Sequence, residues 1–172
     1  GATSGRANRF VRRAASYGPS IRTECTNKGK ATNMGKQLAA LAKKIPPNWI
    51  QTLPTGYGAR YCGHAHVQQM ILATVGPTPQ RVDEIIYNGD TVTGVLLTMT
   101  FTIDGQAVEI TECGDVDRPN PENNGANMKN AISDGVKRCS MRVGKALQLW
   151  CESDEHYILD KVLEDRLQNG EN

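Results

Sequence analysis

The sequence predicts an α+β fold, a three-stranded antiparallel β-meander packed on one long helix, and three observations carry that prediction. Between Arg81 and Cys113, the pairs Asn88-Gly89 and Asp104-Gly105 separate three runs rich in β-branched residues, as two successive hairpins do. The central run alternates, with Val95, Leu97, Met99, Phe101 and Ile103 on one face and Leu96, Thr98, Thr100 and Thr102 on the other. From about Asn123 to Trp150, Met128, Ile132, Val136, Cys139, Val143, Ala146 or Leu147, and Trp150 recur at helical spacing. Three strands alone bury too little, so the sheet needs that helix.

The flanking elements follow in order. Residues 1–35 lack apolar periodicity and read as a flexible basic arm. Leu38, Leu41, Ala42 and Ile45 define a short helix from Lys36 to Ile45, stopped by Pro46 and Pro47. A Gly- and Pro-rich loop spans Thr52 to Gly58. Val67, Met70, Ile71 and Ala73 or Thr74 mark a second helix that ends at Gly76-Pro77. After the long helix, Ile158, Val162 or Leu163, and Leu167 suggest a short docked helix on an acidic background. The expected organisation is thus an arm (1–35), one domain (36–152) and an acidic helix and tail (153–172).

Composition narrows the function classes. The 172 residues suit one domain. No apolar window reaches the roughly 18 residues of a membrane helix, so no membrane partner is expected. Five scattered cysteines without a C-x-x-C pair fit a reducing compartment rather than a disulfide framework. The net charge of +2 is unevenly spread: residues 1–45 hold ten Lys/Arg against Glu24 alone, or +9. Residues 46–152 carry eight basic and eleven acidic side chains (−3), and the last twenty carry two against six (−4). A basic arm on a near-neutral body suits a polyanionic partner, although a targeting remnant has the same composition.

On the long helix the cations are Lys129, Lys137, Arg138, Arg142 and Lys145. Arg138, Arg142 and Lys145 are spaced to share a face, which could track a phosphate backbone. Asp134 stands four residues before Arg138 and could occupy it. A solvated helix face is the plainer account of charge alone.

The order of residues says more. Ala131 to Leu147 reads A-I-S-D-G-V-K-R-C-S-M-R-V-G-K-A-L. It resembles the A-V-T-D-G-L-K-R-A-L-R-x-F-G-x-A-L stretch of the Rad-fifty-two family of single-strand annealing proteins. Gly135 and Gly144 stand at family positions, and a glycine within a helix costs about 1 kcal/mol against alanine. Leu38–Ile50 (L-A-A-L-A-K-K-I-P-P-N-W-I) resembles the family's opening helix, and Tyr61–Gly76 is similar to its Y-I-x-G-x-x-V-I segment ending in F-G. The resemblance covers about 115 residues, from 36 to 150.

The resemblance implies a non-enzymatic protein that binds single-stranded DNA and anneals complementary strands in recombination and repair, without ATP, metal or other cofactor. It implies assembly into an oligomeric ring, with other recombination or replication proteins as further partners. An intracellular setting follows, either bacterial or phage-infected cytoplasm or a mitochondrion or other organelle. The family's inner groove would place Lys137 and Arg138 on phosphates, His66 where the family has arginine, and Arg118 at an outer DNA site; Arg142, Lys129 and Lys145 complete the candidate set. Met141 replaces a family arginine, and Pro77-Thr78-Pro79-Gln80 replaces an aromatic, glycine-rich segment.

Other readings are weaker. Cys62-x-His64-x-His66 has metal-ligand spacing but no evident fourth ligand. Glu109, Glu112, Asp115 and Asp117 would suit a magnesium-dependent nuclease, without a recognisable lysine or histidine partner. A passive single-strand binder is the mildest alternative. No G-x-x-x-x-G-K-S/T motif is present, which argues against an ATP-driven recombinase. Trp49, Trp150, Tyr57 and Tyr61 are as suited to core or interface as to base stacking.

Overall fold

The computed structural model describes residues 35–54 and 58–169. The expected basic arm lies outside the described residues, apart from Gly35. The described elements are α1 (Lys36–Ala42), β1 (Ile50–Thr52), β2 (Arg60–Cys62), α2 (His64–Val75), β3 (Gln80–Asn88), β4 (Thr91–Ile103), β5 (Gln106–Asp115), α3 (Asn124–Arg142) and α4 (Leu159–Asn169). The fold is α+β, and its main sheet is an antiparallel meander in the order β3-β4-β5. Two-residue turns close both hairpins, Gly89-Asp90 and Asp104-Gly105. A second, two-stranded sheet pairs Ile50–Thr52 with Arg60–Cys62, two strands that flank the expected Thr52–Gly58 loop and were not themselves expected. Three-residue strands are too short to show a period of two.

The alternation of β4 sets the core. Val95, Leu97, Met99, Phe101 and Ile103 are buried against α3, with Val67 and Ile71 of α2 and Leu41 of α1 joining them. Thr98, expected on the polar outer face, is nonetheless buried, because its hydroxyl lies between Asp83 Oδ2 (2.5 Å) and Thr111 Oγ1 (2.7 Å). Helix α3 covers β4 and β5. Strand β3 is left outside that cover: all nine of its residues are exposed, Val82, Ile85, Ile86 and Tyr87 among them.

One contact fixes how the helix crosses the sheet. A Cβ built on Gly114 would lie 2.0 Å from Ala131 O and 2.5 Å from Gly135 N, and one on Gly135 would meet Leu97 at 3.1 Å. Backbone therefore rests on backbone, and the two missing side chains are what permit it.

Helix α3 ends sooner than its apolar spacing predicts, at Arg142 rather than Trp150. Gly144 takes φ +96°, its N–H bonds Met141 O at 3.0 Å, and Lys145 N–H bonds Ser140 O at 3.0 Å. This pair is the Schellman termination. Gly144 is thus a cap and not an interior helix glycine, and Leu147–Trp150 forms a separate 3₁₀ turn. At the other end Asn123 caps the helix by accepting from Ala126 N–H at 3.0 Å.

The tail helix α4 docks on α1 through Leu163, Leu159 and Leu167 against Ala39 and Ala42. Ile158, expected in that stripe, is exposed and precedes the helix. Tyr157 anchors the approach, its hydroxyl donating to Ala42 O at 2.5 Å.

Candidate nucleic-acid interface

Two adjoining cavities run along α3 beneath the β1–β2 hairpin. The first, about 390 Å³, is lined by Arg60, Tyr61, Lys137, Arg138, Met141 and Trp150 among others. The second, about 690 Å³, is bounded by Asp115, Asp117, Arg118, Asn130 and Ser133. Leu53, Asp134 and Lys137 line both, so one groove passes Lys137 at its middle. Gly135 sets this placement. By seating α3 on the sheet, it turns the neighbouring Asp134, Lys137 and Arg138 toward the hairpin side.

Each groove cation has a carboxylate partner. Lys137 Nζ lies 3.6 Å from Asp134 Oδ1, and Arg138 Nε lies 2.7 Å from Asp134 Oδ2. Arg138 also reaches Asp115 at 3.5 Å. Arg60 bridges Asp154 at 2.7 Å and donates to the Gln148 and Cys151 carbonyls, which ties the hairpin to the chain beyond α3. Arg118 approaches Asp117 at 3.8 Å with both side chains in solvent, a contact of little weight. Burial opposes ionisation of Asp134, but the hydrogen bond and charge of Arg138, the charge of Lys137 and a hydrogen bond with Asp115 outweigh it, holding its carboxyl below the usual range. The Arg138 guanidinium is correspondingly held more firmly in its charged form by Asp134.

The remaining sequence candidates scatter. Arg142 binds Glu112 of β5 and lies over the exposed ring of Trp150, 5.7 Å from its centroid; Trp150 lines the first cavity and Arg142 does not. His66 stacks on Trp49 with centroids 4.7 Å apart and lines neither cavity. Lys129 is exposed on the first half of α3, also outside the groove lining. Lys145 departs furthest from its expected place: only 4 % exposed, it sits past the Schellman turn and donates to the Lys43 (3.2 Å) and Ala40 (3.5 Å) carbonyls at the end of α1. Burial lowers its pKa, and its task is to cap α1, so it does not continue a row with Arg138 and Arg142.

Sequence reading missed Arg60 and the placement of Trp150 at the groove. A lone arginine in a three-residue strand gives no signal, and Trp150 leaves the helix face only because Gly144 breaks the helix. The spacing Cys62-x-His64-x-His66 is not held on one extended segment: Cys62 ends β2, while His64 and His66 belong to α2. Among the described residues no three His, Cys, Asp or Glu side chains gather in a metal-holding arrangement. Among them, too, no helix is long and apolar enough to cross a membrane. No protein-family model matches the chain, and no curated protein matches it in sequence.

Proposed function

We propose that the chain binds single-stranded DNA along the groove on α3 and anneals complementary strands without a catalytic group. The observation that carries this reading is the continuity of the groove past Lys137, with Arg138 and Arg60 on one side and Arg118 on the other. Phosphates set along such a row would exchange with Asp134 and Asp115 for the same cations, so each contact is weak and reversible. Weak contacts suit annealing, because a held strand must shift until its complement pairs. Strength then comes from repetition.

A ring of subunits would repeat the groove and make binding multivalent and steeply salt-dependent. The exposure of β3 along its whole length, with an edge unpaired among the described residues and four large apolar side chains exposed, supports association. The basic arm would add phosphate contacts beyond the groove.

Two complementary fluorescent oligonucleotides mixed with the protein in EDTA test the reading. Accelerated annealing is expected, and cleavage that requires added magnesium would sink it. The double variant Lys137→Ala, Arg138→Ala should lower affinity by about tenfold or more and reduce the salt slope by about 1.4, two single-strand phosphate contacts' worth. Unchanged binding at low salt would refute the groove.

A further inference from the structure

Beside the groove lies a third cavity, of about 310 Å³, between α2, the segment leading into β3, and α3. Five polar side chains converge on it: His64 and Gln68 from α2, Thr78 and Gln80 from the strand approach, and Ser133 from α3. Among the described residues, none of their polar side-chain atoms has a hydrogen-bond partner, and His64 Nδ1 is enclosed without one. The His64 nitrogen is buried and unpaired, whereas Gln68, Thr78 and Ser133 are half-buried and Gln80 is exposed, so their free donors and acceptors are open to a molecule that enters the cavity. Ile132 and Val136 supply an apolar wall.

The chemistry of the lining selects the ligand class. Among the described residues no Lys, Arg, Asp or Glu borders the cavity, so a phosphate or a cation finds no charged partner among them. The volume is at the small end for ligand sites and suits one heterocycle. A flat, neutral ring with donors and acceptors on its edge matches both the apolar wall and the amides of Gln68 and Gln80, which can each bond an adenine edge in bidentate fashion. Ser133 lines this cavity and the groove alike.

We propose that this cavity takes a single nucleobase turned out of a strand whose phosphates lie on Lys137, a step that rests on the groove reading given above. One base per subunit would be held, setting the strand's phase on the protein, while its neighbours stay open for pairing.

The test uses the full chain with two probes. Free deoxyadenosine, followed by NMR, should shift the resonances of Gln68 and Ser133 in the wild type, and the Ser133 shift should be absent in Gln68→Ala. In binding assays, an oligodeoxyadenylate should bind about tenfold more tightly than an all-abasic strand of equal length, and Gln68→Ala should remove that preference without weakening abasic-strand binding. Equal wild-type affinity for the two strands, or a preference retained in Gln68→Ala, overturns the pocket. If Gln68→Ala fails to fold, Gln80→Ala, which lines this cavity and not the groove, replaces it with the same readings. Failure of the groove reading looks different: abasic-strand binding would then survive Lys137→Ala, Arg138→Ala, whatever the nucleoside does.

Discussion

Replacing Asp134 with asparagine separates two roles that the groove combines. The side chain accepts from Arg138 at 2.7 Å, faces Lys137 at 3.6 Å and receives the Asp115 N–H at 3.4 Å. Arg138 is 40 % exposed, so its attraction to Asp134 is screened, and the pair stabilises the fold by no more than about 1 kcal/mol. Asparagine keeps a carbonyl acceptor of nearly the same shape. Asp134→Asn should therefore lower the melting temperature by only about 3 °C. Binding should move the other way. A phosphate no longer displaces a charged carboxylate from two cations, which favours the complex by about 1 kcal/mol per subunit, or about fivefold in affinity at low salt. Fluorescence anisotropy with a labelled oligonucleotide reads the affinity, and strand-annealing rates should fall as binding tightens. An unchanged or weaker affinity in a folded Asp134→Asn protein would refute the reasoning, because it would mean that Asp134 positions the cations instead of competing for them. Acid adds a check. With its folded pKa below the usual carboxylate range, Asp134 contributes stability in full above about pH 4, and that contribution is lost as pH falls through the folded value; the variant's stability should be flatter across that interval.

Other perturbations address the scaffold. Gly114→Ala drives a Cβ to within 2.0 Å of Ala131 O and should destabilise by about 3 kcal/mol or more, whereas Gly135→Ala, which meets the movable Leu97 side chain at 3.1 Å, should cost about 1 kcal/mol; chemical denaturation distinguishes them, and equal costs would contradict the backbone contact. Lys145→Ala removes the donor to two α1 carbonyls and should cost about 1–3 kcal/mol while leaving DNA affinity unchanged, so a selective loss of binding would return Lys145 to the groove. Because burial depresses the Lys145 pKa, the wild type should gain stability as alkaline pH climbs through the folded value toward the ordinary lysine range, a gain that Lys145→Ala lacks.

Much of the architecture was legible because local and long-range signals agreed. Two turn pairs and the clean alternation of β4 define the meander without knowledge of what packs on it, and the α3 stripe identifies the covering helix. The end of α3 was not legible. Val143, Leu147 and Trp150 continue the helical period, and only the termination geometry reveals that Gly144 closes the helix, which removes Lys145 from the row. The Asp134–Arg138 pair is readable from spacing four apart. The Glu112–Arg142 and Arg60–Asp154 pairs are not, because they join elements 30 and 94 residues apart. The groove itself depends on the β1–β2 hairpin, whose strands are too short to announce themselves.

The crossing of Gly114 and Gly135 has a consequence for how such a surface can vary. With no side chain between helix and sheet, α3 has a pivot that cannot be adjusted by repacking, and the exposed residues a turn away inherit their location from it. Cations on that turn can be exchanged for others at small cost to the fold, so affinity and salt response are open to gradual adjustment. The pivot admits no intermediate versions. A change at Gly114 moves every contact at once, which makes that glycine, which meets neither solvent nor ligand, the strictest requirement the binding surface imposes on the sequence.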